Sequence, residues 1–316
     1  MILAAGLGTR MAPLTERHAK TALPVLDEPL VLRLARSLAD QGVERLVVNA
    51  HAHPEQIREA LAKSPIPAQI SYEPELLGSG GGIRQARALL DGTEPFFVLN
   101  ADMCIDLDLD ALLQAHAAGG AAATLVLRDE PRKHEFGTIG YASGARVSRI
   151  TNLARHGAEV GSGLFAGVQV IEPELFTQMP EAGAFESMVD LYAPMLRRGE
   201  PIGVWLQPRS ATWWPVGSPG ELLEANLSAL SRLGTGPHVA EDSNVEGRLR
   251  APVWVGAGAR IAAGATAGPN AVIGAGATLG ANATASQSLL LPAARVAPGQ
   301  TLRRAIAWDG EVWTDA

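Results

Sequence analysis

Residues 255–290 read VGAGAR IAAGAT AGPNAV IGAGAT LGANAT ASQSLL when they are written in groups of six. The groups begin with Val255, Ile261, Ala267, Ile273, Leu279 and Ala285, and most of the remaining positions are small residues. One aliphatic residue in every six, with small residues between, is typical of a parallel β-helix that turns a corner after each hexad. A disordered Gly/Ala linker would not keep this period. Since three hexads make one triangular coil, the spacing predicts about two to three coils.

Upstream of the hexads, residues 234–252 are rich in Gly, Pro and polar residues, which predicts a linker. Residues 1–233 alternate between apolar strand-like runs such as FFVLNAD and segments with helical spacing such as LDALLQAHAA. This alternation predicts an α/β fold, a Rossmann-like and mostly parallel sheet with helices on both faces. The predicted domains are therefore 1–233, the linker 234–252, and a β-helix with a C-terminal tail at 253–316, in which the hexad register slips near LLLPAARVAPG.

The composition narrows the function classes. The 316 residues carry a formal net charge of −7 and no Lys/Arg-rich run, which argues against a nucleic-acid partner. The sequence has no apolar stretch of about 18 residues and no signal-peptide pattern, so we expect a cytoplasmic protein without a membrane span. A single cysteine, Cys104, fits a reducing compartment. We also expect a homo-oligomer, formed through the β-helix or a sheet edge, since exposed strand edges favour association.

A glycine loop follows the first predicted strand, in AAGLGTRMAPLT. Gly6 and Gly8 let backbone N–H groups approach an anion closely, and the cations Arg10 and Lys20 lie downstream. The loop is no Walker A motif, because no Gly-Lys-Ser/Thr follows. It is also no dinucleotide fingerprint, because the last glycine of that motif would stand at Met11. A structural tight turn is the alternative for such a short pattern.

The longer run LAAGLGTRMAPLT…AKTALPVLDEPLV resembles the signature of the sugar-1-phosphate nucleotidylyltransferases, with Ala19 in place of the proline before Lys20. EPELLGSGGGIRQA resembles the stretch of that family that contacts base and sugar, and GLFAGVQVIEPELF resembles its segment near the sugar. VLNAD resembles V-x-N-G-D, with Ala101 in place of the glycine. The resemblance is nearest the mannose-1-phosphate guanylyltransferase and N-acetylmuramate-1-phosphate uridylyltransferase branches. Several members carry a C-terminal left-handed β-helix, which this resemblance implies here.

The resemblance implies that a sugar-1-phosphate oxygen attacks the α-phosphorus of a nucleoside triphosphate and releases pyrophosphate. Arg10 would neutralise the leaving pyrophosphate, Lys20 would lie near the α-phosphate, and Asp102 would bind Mg²⁺. Implied nucleotide-binding residues are Leu3, Ala4, Ala5, Gly6, Gly8, Thr9, Glu73, Gly78 and Ser79. Implied sugar-binding residues are Gly137, Gly167 and Glu186.

Three of these residues have structural alternatives. Asp102 is otherwise a helix N-cap or a turn acid, although an acid that ends a buried strand at the binding edge of a sheet suits a metal. Glu73, as an acceptor for guanine N–H groups, slightly favours GTP over UTP, and its alternative is an exposed strand-end glutamate. Glu186 is otherwise part of a solvated helix face.

Two departures from the family pattern support an alternative function. WWPVGSP, at 213–219, resembles W-x-D-x-G-T-P, but Pro215 replaces the aspartate that normally binds the metal as a second ligand. The stretch RITNLARHG lacks the lysine of the family's E-K-P motif. Because the long N-terminal motif is retained, we predict an active Mg²⁺-dependent enzyme. The alternative that the two departures support is a non-catalytic paralogue that binds nucleotide-sugar and regulates or scaffolds a partner. An acyltransferase is disfavoured, because His238 is the only histidine beside the repeats.

Overall fold

The computed structural model describes residues 1–90, 92, 94–131 and 137–315. The chain folds as two compact units. The first unit consists of Met1–Leu7, Leu34–Ala101 and Ile105–Trp213. The second consists of Gly8–Arg33, Asp102–Cys104 and the chain from Trp214 onward. Each unit is therefore built from segments that are distant in sequence.

The helices lie between the strands of the N-terminal two thirds and end at Arg232. The α-helices are α1 Leu30–Ala39, α2 Pro54–Leu61, α3 Gly78–Gln85, α4 Arg87–Leu90, α5 Leu109–Gly119, α6 Ala193–Arg197 and α7 Pro219–Arg232. Short 3-10 helices span Thr9–Met11, Leu14–Glu16, Lys20–Ala22 and Pro173–Gln178, and a π-helix spans Ser187–Tyr192.

The strands of the N-terminal two thirds are β1 Ile2–Leu3, β2 Pro24–Val25, β3 Glu28–Pro29, β4 Leu46–Ala50, β5 Ala68–Tyr72, β6 Phe96–Asn100, β7 Met103–Ile105, β8 Ala123–Arg128, β9 Ile139–Ala142, β10 Arg146–Ile150, β11 Ala154–Arg155, β12 Gly161–Ile171, β13 Gly203–Leu206 and β14 Trp213–Pro215. Ten of them form the central sheet of the first unit, in the order β11-β10-β13-β8-β12-β6-β1-β4-β5, with β9 paired to β10 and β12.

The central sheet is mixed in direction. The neighbours β6-β1-β4-β5 are parallel, as are β13 and β8. β12 runs antiparallel to β6 and β8, and β10 runs antiparallel to its partners. The predicted α/β class is confirmed, and β1 lies in a run of four parallel strands, β6-β1-β4-β5, within this mixed sheet. Apolar residues of these strands, among them Val47, Val98 and Leu125, are buried in one core cluster.

The strands of the C-terminal part are β15 Pro237–Val239, β16 Asn244–Val245, β17 Arg248–Leu249, β18 Val253–Val255, β19 Arg260–Ile261, β20 Thr266–Ala267, β21 Ala271–Ile273, β22 Thr278–Leu279, β23 Thr284–Ser286, β24 Ser288–Leu290, β25 Arg295–Val296, β26 Thr301–Arg303, β27 Ala305–Trp308 and β28 Glu311–Thr314. They form three parallel sheets, β15-β18-β21-β24-β27, β16-β19-β22-β25 and β17-β20-β23-β26, and β28 pairs antiparallel with β27. The predicted β-helix is confirmed.

The first position of each predicted hexad faces the interior of this β-helix. Val255 is 1% exposed and the other five first positions are fully buried. Val255 pairs with Ile273, and Ile261 pairs with Leu279, each 18 residues along the chain. Three hexads therefore make one coil, with one aliphatic layer for each side of the triangle.

Two features of the β-helix differ from the sequence prediction. Residues 234–252, predicted as a linker, contain β15, β16 and β17, which pair with β18, β19 and β20 as a first coil. Two of the three sheets stack four strands deep, and the sheet that begins with β15 stacks five parallel strands, so the β-helix has more coils than the predicted two to three. A strict six-residue period misses these strands because the corners vary in length. Val239 pairs with Val255 over 16 residues, and Ile273 pairs with Leu290 over 17.

The second unit has its own apolar core. The N-terminal segment contributes Leu14, Leu23, Val25 and Leu30, all at most 2% exposed. They pack with residues of α7 and with residues that project outward from the β-helix: Leu222, Leu223, Leu230, Val272, Leu289, Leu291, Ile306 and Trp308. The chain that follows the glycine loop is therefore part of one core with the β-helix.

Candidate active site

Lys20 and Asp102 form an ion pair in the second unit. Lys20 begins the 3-10 helix Lys20–Ala22, and Asp102 lies two residues after the end of β6. The lysine Nζ is 2.6 Å from the aspartate Oδ2, and the side chains are 10% and 37% exposed. The structure thus brings together the predicted catalytic lysine and the predicted metal ligand. Asp102 caps no described helix, since the N-cap of α5 is Asp108.

Gly8 holds the predicted phosphate loop close to this pair. Its φ of 64° lies in the left-handed region, and a Cβ there would be 2.9 Å from Thr15 Cγ2 and 3.2 Å from Lys20 Cβ. Any larger residue would displace one of these side chains. The Gly8 carbonyl accepts hydrogen bonds from the Thr15 hydroxyl at 2.9 Å and from the Met11 N–H at 2.7 Å. The turn that contains Thr9 and Arg10 is therefore fixed to the chain that carries Lys20.

Arg10 lies beside the junction that leads into α7. A Cβ at Gly217 would be 2.8 Å from Arg10 Nη2 and 3.0 Å from Glu221 Oε2, so the glycine leaves room for the guanidinium. The Gly217 N–H donates to Glu221 Oε2 at 2.8 Å, and the Glu221 N–H donates to the Ser218 hydroxyl at 3.3 Å. This is a capping arrangement with Pro219 at the first helical position, as the sequence predicts.

The side chains around Asp102 fit a protein-held metal poorly. The Val216 N–H donates to the Asp102 carbonyl at 2.8 Å, so Pro215 is next to the residue that pairs with Asp102. Proline supplies no side-chain oxygen there. Within the described part of the chain, no group of three His, Cys, Asp or Glu residues could bind a metal ion. The Asp102 carboxylate is itself already bonded to the ammonium group of Lys20.

Glu73 is buried in the first unit, which contradicts the exposed alternative. It is 1% exposed, and its Oε1 accepts from Asn49 Nδ2 at 2.7 Å while its Oε2 accepts from the Leu77 N–H at 3.1 Å. Asn49 Oδ1 accepts in turn from the Ala4 N–H at 2.6 Å. A Cβ at Gly82 would be 2.6 Å from both Glu73 and Asn49. The carboxylate therefore links the end of β1, β4 and the start of α3 inside the protein.

Asn49 is not among the predicted site residues, although it stands next to the base-contacting candidate. A polar residue within the buried strand LVVNA is a visible signal in the sequence. The role of this residue depends on Ala4 and Glu73, which lie 45 and 24 positions away, so it cannot be read from local pattern.

Ser79 and Glu186 meet in the first unit, as two predicted ligand-binding residues. The Ser79 hydroxyl donates to Glu186 Oε2 at 2.6 Å, and the Ser79 N–H reaches the same oxygen at 3.2 Å. Gly78 has a φ of 72°, and a Cβ there would be 2.6 Å from the Phe185 carbonyl oxygen and 2.8 Å from Glu186 Oε1. The Glu186 N–H donates to Asp190 Oδ2 at 2.8 Å. The start of α3 is therefore pinned to the chain just before the π-helix.

The remaining predicted residues of the first unit differ in exposure. Ala4 and Ala5 are buried, Leu3 is half-buried, and Gly6 is exposed with no atom within 4 Å of an added Cβ. Gly137 and Gly167 both have positive φ, 83° and 79°. Gly167 lies where the register between β12 and β8 shifts, which is a bulge that glycine accommodates.

The sequence of the region that contains these residues decides the family. The sequence model described as nucleotidyl transferase matches residues 1–232 of the chain. The chain belongs to the nucleotidyl transferase family. The match covers β1 to α7, so it includes every predicted site residue of this transferase.

The names of curated relatives of this nucleotidyl transferase state different substrates. It is 30% identical to probable mannose-1-phosphate guanylyltransferase 2 of Arabidopsis thaliana, over 76% of this chain and 69% of the relative. It is 33% identical to N-acetylmuramate alpha-1-phosphate uridylyltransferase of Neisseria meningitidis, over 72% and 97%. It is 25% identical to UTP–glucose-1-phosphate uridylyltransferase of Synechocystis sp., over 96% and 85%. The predicted resemblance to sugar-1-phosphate nucleotidylyltransferases is confirmed.

A solved structure agrees on the fold. HddC from Yersinia pseudotuberculosis, crystallised with GMP-PN, aligns with a TM-score of 0.60 at 21% identity, over 72% of this chain and 97% of its own. In the described parts of the transferase, none of the helices has the length and apolar character needed to cross a membrane.

Proposed function

We propose that this nucleotidyl transferase moves the nucleotidyl group of GTP or UTP to a mannose-1-phosphate-like sugar-1-phosphate and releases pyrophosphate. The observation that carries the proposal is the 2.6 Å contact between Lys20 and Asp102 beside the Gly8 turn. A glycine turn, a cation and an acid in one place are the groups that bind and neutralise a triphosphate. They lie within the residues that match the family.

Phosphoryl transfer depends mainly on positioning and on neutralisation of charge. A phosphate oxygen of the sugar-1-phosphate forms the new bond to the α-phosphorus, and the bond from the α-phosphorus to the β-phosphate oxygen breaks. We propose that Lys20 donates to the α-phosphate, where negative charge increases. Arg10, whose guanidinium lies beside Gly217, would compensate the charge of the leaving pyrophosphate. Lys20 and Arg10 keep their protons throughout, so the sugar phosphate and pyrophosphate exchange places without a general base.

We propose that Mg²⁺ accompanies the triphosphate instead of residing in the protein. Asp102 provides one carboxylate and Pro215 provides none, whereas Mg²⁺ is usually held by one or two carboxylates together with substrate phosphates. In this arrangement the phosphates supply most of the oxygen ligands. The first role of Asp102 in this proposal is to orient Lys20, through the 2.6 Å contact between Lys20 Nζ and Asp102 Oδ2.

The contacts of Glu73 do not favour GTP over UTP. Both of its carboxylate oxygens accept hydrogen bonds within the protein, from Asn49 and from the Leu77 N–H. We propose that Glu73 and Asn49 have a structural role, because they hold the Ala4 amide and the start of α3 together within the first unit. The relatives carry both guanylyl and uridylyl activities in their names, so both nucleotides belong in the test.

The experiment is an assay of pyrophosphate release with Mg²⁺. GTP and UTP are crossed with mannose-1-phosphate, glucose-1-phosphate and N-acetylmuramate-1-phosphate. We expect turnover with one pair, and we expect Lys20→Met to lower kcat by at least about a hundredfold, as the loss of one charge-stabilising donor does. Lys63→Met is the matched control, since Lys63 is an exposed lysine outside the predicted site.

Two outcomes would contradict the proposal. Turnover that survives Lys20→Met unchanged would remove Lys20 from the chemistry. Absence of turnover with all six pairs, together with measurable binding of GDP-mannose or a UDP-sugar, would favour the non-catalytic paralogue instead. Isothermal titration with the nucleotide-sugars provides that second measurement.

We further propose that the transferase works in the cytoplasm, where its nucleotide substrates are made, and associates with a second copy through the β-helix. Val239 on β15 and Val312 on β28 are 43% and 38% exposed, and these strands are the two edges of one β-helix sheet. Exposed edge strands with apolar residues favour pairing. Light scattering after size exclusion would give the mass, and a strictly monomeric mass at all concentrations would contradict the association.

A further inference from the structure

The turn between β2 and β3 has an unusual backbone. Its two central residues, Leu26 and Asp27, both have positive φ, 51° and 65°. Asn and Gly are the usual residues of such a turn, because other side chains are disfavoured in the left-handed region. A leucine and an aspartate stay there only when surrounding contacts determine the conformation, and such positions are concentrated at functional sites.

The Asp27 carboxylate bonds to two successive coils of the β-helix. Its Oδ2 accepts from Trp254 Nε1 at 2.8 Å, and its Oδ1 accepts from the Ala275 N–H at 2.8 Å. Trp254 lies on β18, and Ala275 lies in the turn after β21, the next strand of the same sheet. A Cβ at Gly256 would be 2.1 Å from Asp27 Oδ2, so this position leaves space for the carboxylate.

A buried amide holds the same turn from the other side. Asn226 on α7 is fully buried. Its Oδ1 accepts from the Leu26 N–H at 3.0 Å, and its Nδ2 donates to the Pro24 carbonyl at 3.1 Å. The turn is thus bonded to the β-helix through a side chain and to α7 through its backbone. Both contacts are more specific than apolar packing alone, because each needs a matched donor and acceptor.

The turn is connected to Lys20 by a short, ordered segment. The Leu23 N–H donates to the Lys20 carbonyl at 3.3 Å, and the Leu30 N–H donates to the Leu23 carbonyl at 3.1 Å. Leu23 and Val25 are at most 2% exposed in the core that includes Val272 of the β-helix. The segment between Lys20 and Asp27 is therefore held by backbone hydrogen bonds and by burial of its apolar side chains.

We infer that Asp27 is a positioning residue, through which the β-helix fixes Lys20 opposite Asp102. The β-helix then supports the segment that carries Lys20, in addition to any part that it has in assembly. The catalytic meaning of this inference rests on the proposed function. The placement of Lys20 by Asp27 is a structural statement that can be tested without turnover.

The first test measures the reactivity of Lys20. The full-length protein is treated with an amine-acylating reagent, and peptide mass spectrometry gives the acylation rates of Lys20 and of the exposed Lys63. In Asp27→Ala we expect the rate at Lys20 to rise about fivefold to thirtyfold, as an opening of its pair with Asp102 would produce, while the rate at Lys63 stays constant. A global loss of stability would also raise the rate at Lys20 and leave that at Lys63 unchanged, because Lys63 is already exposed in the folded protein. Urea unfolding of Asp27→Ala, with acylation carried out far below its midpoint, therefore separates local positioning from unfolding.

Two further variants sharpen this test. Trp254→Phe keeps the indole's apolar body and removes its N–H, so we expect a smaller rise at Lys20 in the same direction. Asp315→Asn weakens an exposed ion pair with Arg304 on the β-helix and is the matched control, for which no change at Lys20 is expected. An unchanged Lys20 rate in folded Asp27→Ala, confirmed by an unaltered circular dichroism spectrum, overturns the inference.

The second test uses turnover in the active wild type. We expect Asp27→Ala to lower kcat by about tenfold to a hundredfold, because a misplaced group has that effect, with a smaller change in the KM for nucleotide. Equal kcat in the two proteins would also overturn the inference. If the wild type has no turnover, the proposed function fails, and the Lys20-to-Lys63 ratio still decides the role of Asp27.

Discussion

The ion pair of Lys20 and Asp102 is unequal in its exposure to solvent, and this predicts unequal effects of its two deletions. The lysine side chain is 10% exposed and the aspartate side chain 37%. Asp102→Ala leaves a nearly buried ammonium without its carboxylate. A buried polar group that loses its partner costs about 1–3 kcal/mol, and more when it is charged, so we expect at least about 2 kcal/mol.

Lys20→Met leaves the opposite state. The carboxylate remains, is more than one-third exposed, and can be hydrated, while methionine retains an apolar stem against Gly8. Pairs with a solvent-accessible member contribute about 0–1 kcal/mol, so we expect a loss of less than about 1 kcal/mol. The double variant should resemble Lys20→Met, because the buried charge that makes Asp102→Ala costly is then absent.

Urea unfolding at neutral pH, followed by circular dichroism, measures these differences. The midpoint and the slope are both compared, since a change in slope would indicate a change in the denatured or native state instead of in the pair. The exposed pair of Glu55 and Arg58 provides the benchmark, and Glu55→Ala should leave the urea midpoint and the slope nearly unchanged. A Lys20→Met protein that loses as much stability as Asp102→Ala would refute the reasoning from exposure.

Two other substitutions test packing and metal binding. Gly80→Ala should lower the free energy of unfolding by about 1–3 kcal/mol, because its Cβ would be 2.1 Å from the Phe185 ring. Its control is Gly6→Ala, where no atom lies within 4 Å of the new Cβ, and the free energy of unfolding should change by less than about 0.5 kcal/mol. Thermal unfolding of both variants measures the difference. Pro215→Asp should raise the affinity of the protein for Mn²⁺ in the absence of nucleotide, because it adds a second carboxylate near Asp102. Electron paramagnetic resonance of free Mn²⁺ measures the affinity. Tight Mn²⁺ binding by the protein with Pro215 would contradict this prediction.

The sequence predicts those parts of the molecule whose signals are local. The aliphatic residues at 255–285 recur every six positions, so the β-helix follows from the pattern alone. The glycine loop with Lys20, and Asp102 at the end of an apolar strand, are likewise short patterns whose chemistry is readable. The structure brings Lys20 and Asp102 to 2.6 Å, as two groups expected at one site should be.

The remaining parts depend on residues that are far apart in the chain. The first coil at 237–249 is hidden because Val245 and Leu249, on successive strands, are four residues apart instead of six, so no fixed period reaches it. The burial of Glu73 depends on Asn49 and Gly82, and no feature of EPELLG shows it. The bond between Asp27 and Trp254 joins positions 227 residues apart, which no pattern in one sequence can pair.

The charges at the centre of the site form a consistent set. One carboxylate, Asp102, is balanced by one ammonium, Lys20, and Pro215 adds no charge. With an acid in place of Pro215 this pair would carry an excess negative charge, and a divalent cation would be needed to balance it. Without that acid the pair of Lys20 and Asp102 is balanced in charge by itself. Under the proposed function, an incoming triphosphate would bring its own cation and would rely on Arg10, on Lys20 and on the backbone N–H groups of the glycine loop. On that proposal, proline at position 215 would shift cation binding from the protein to the substrate and would leave in place the groups that neutralise the transferring phosphate.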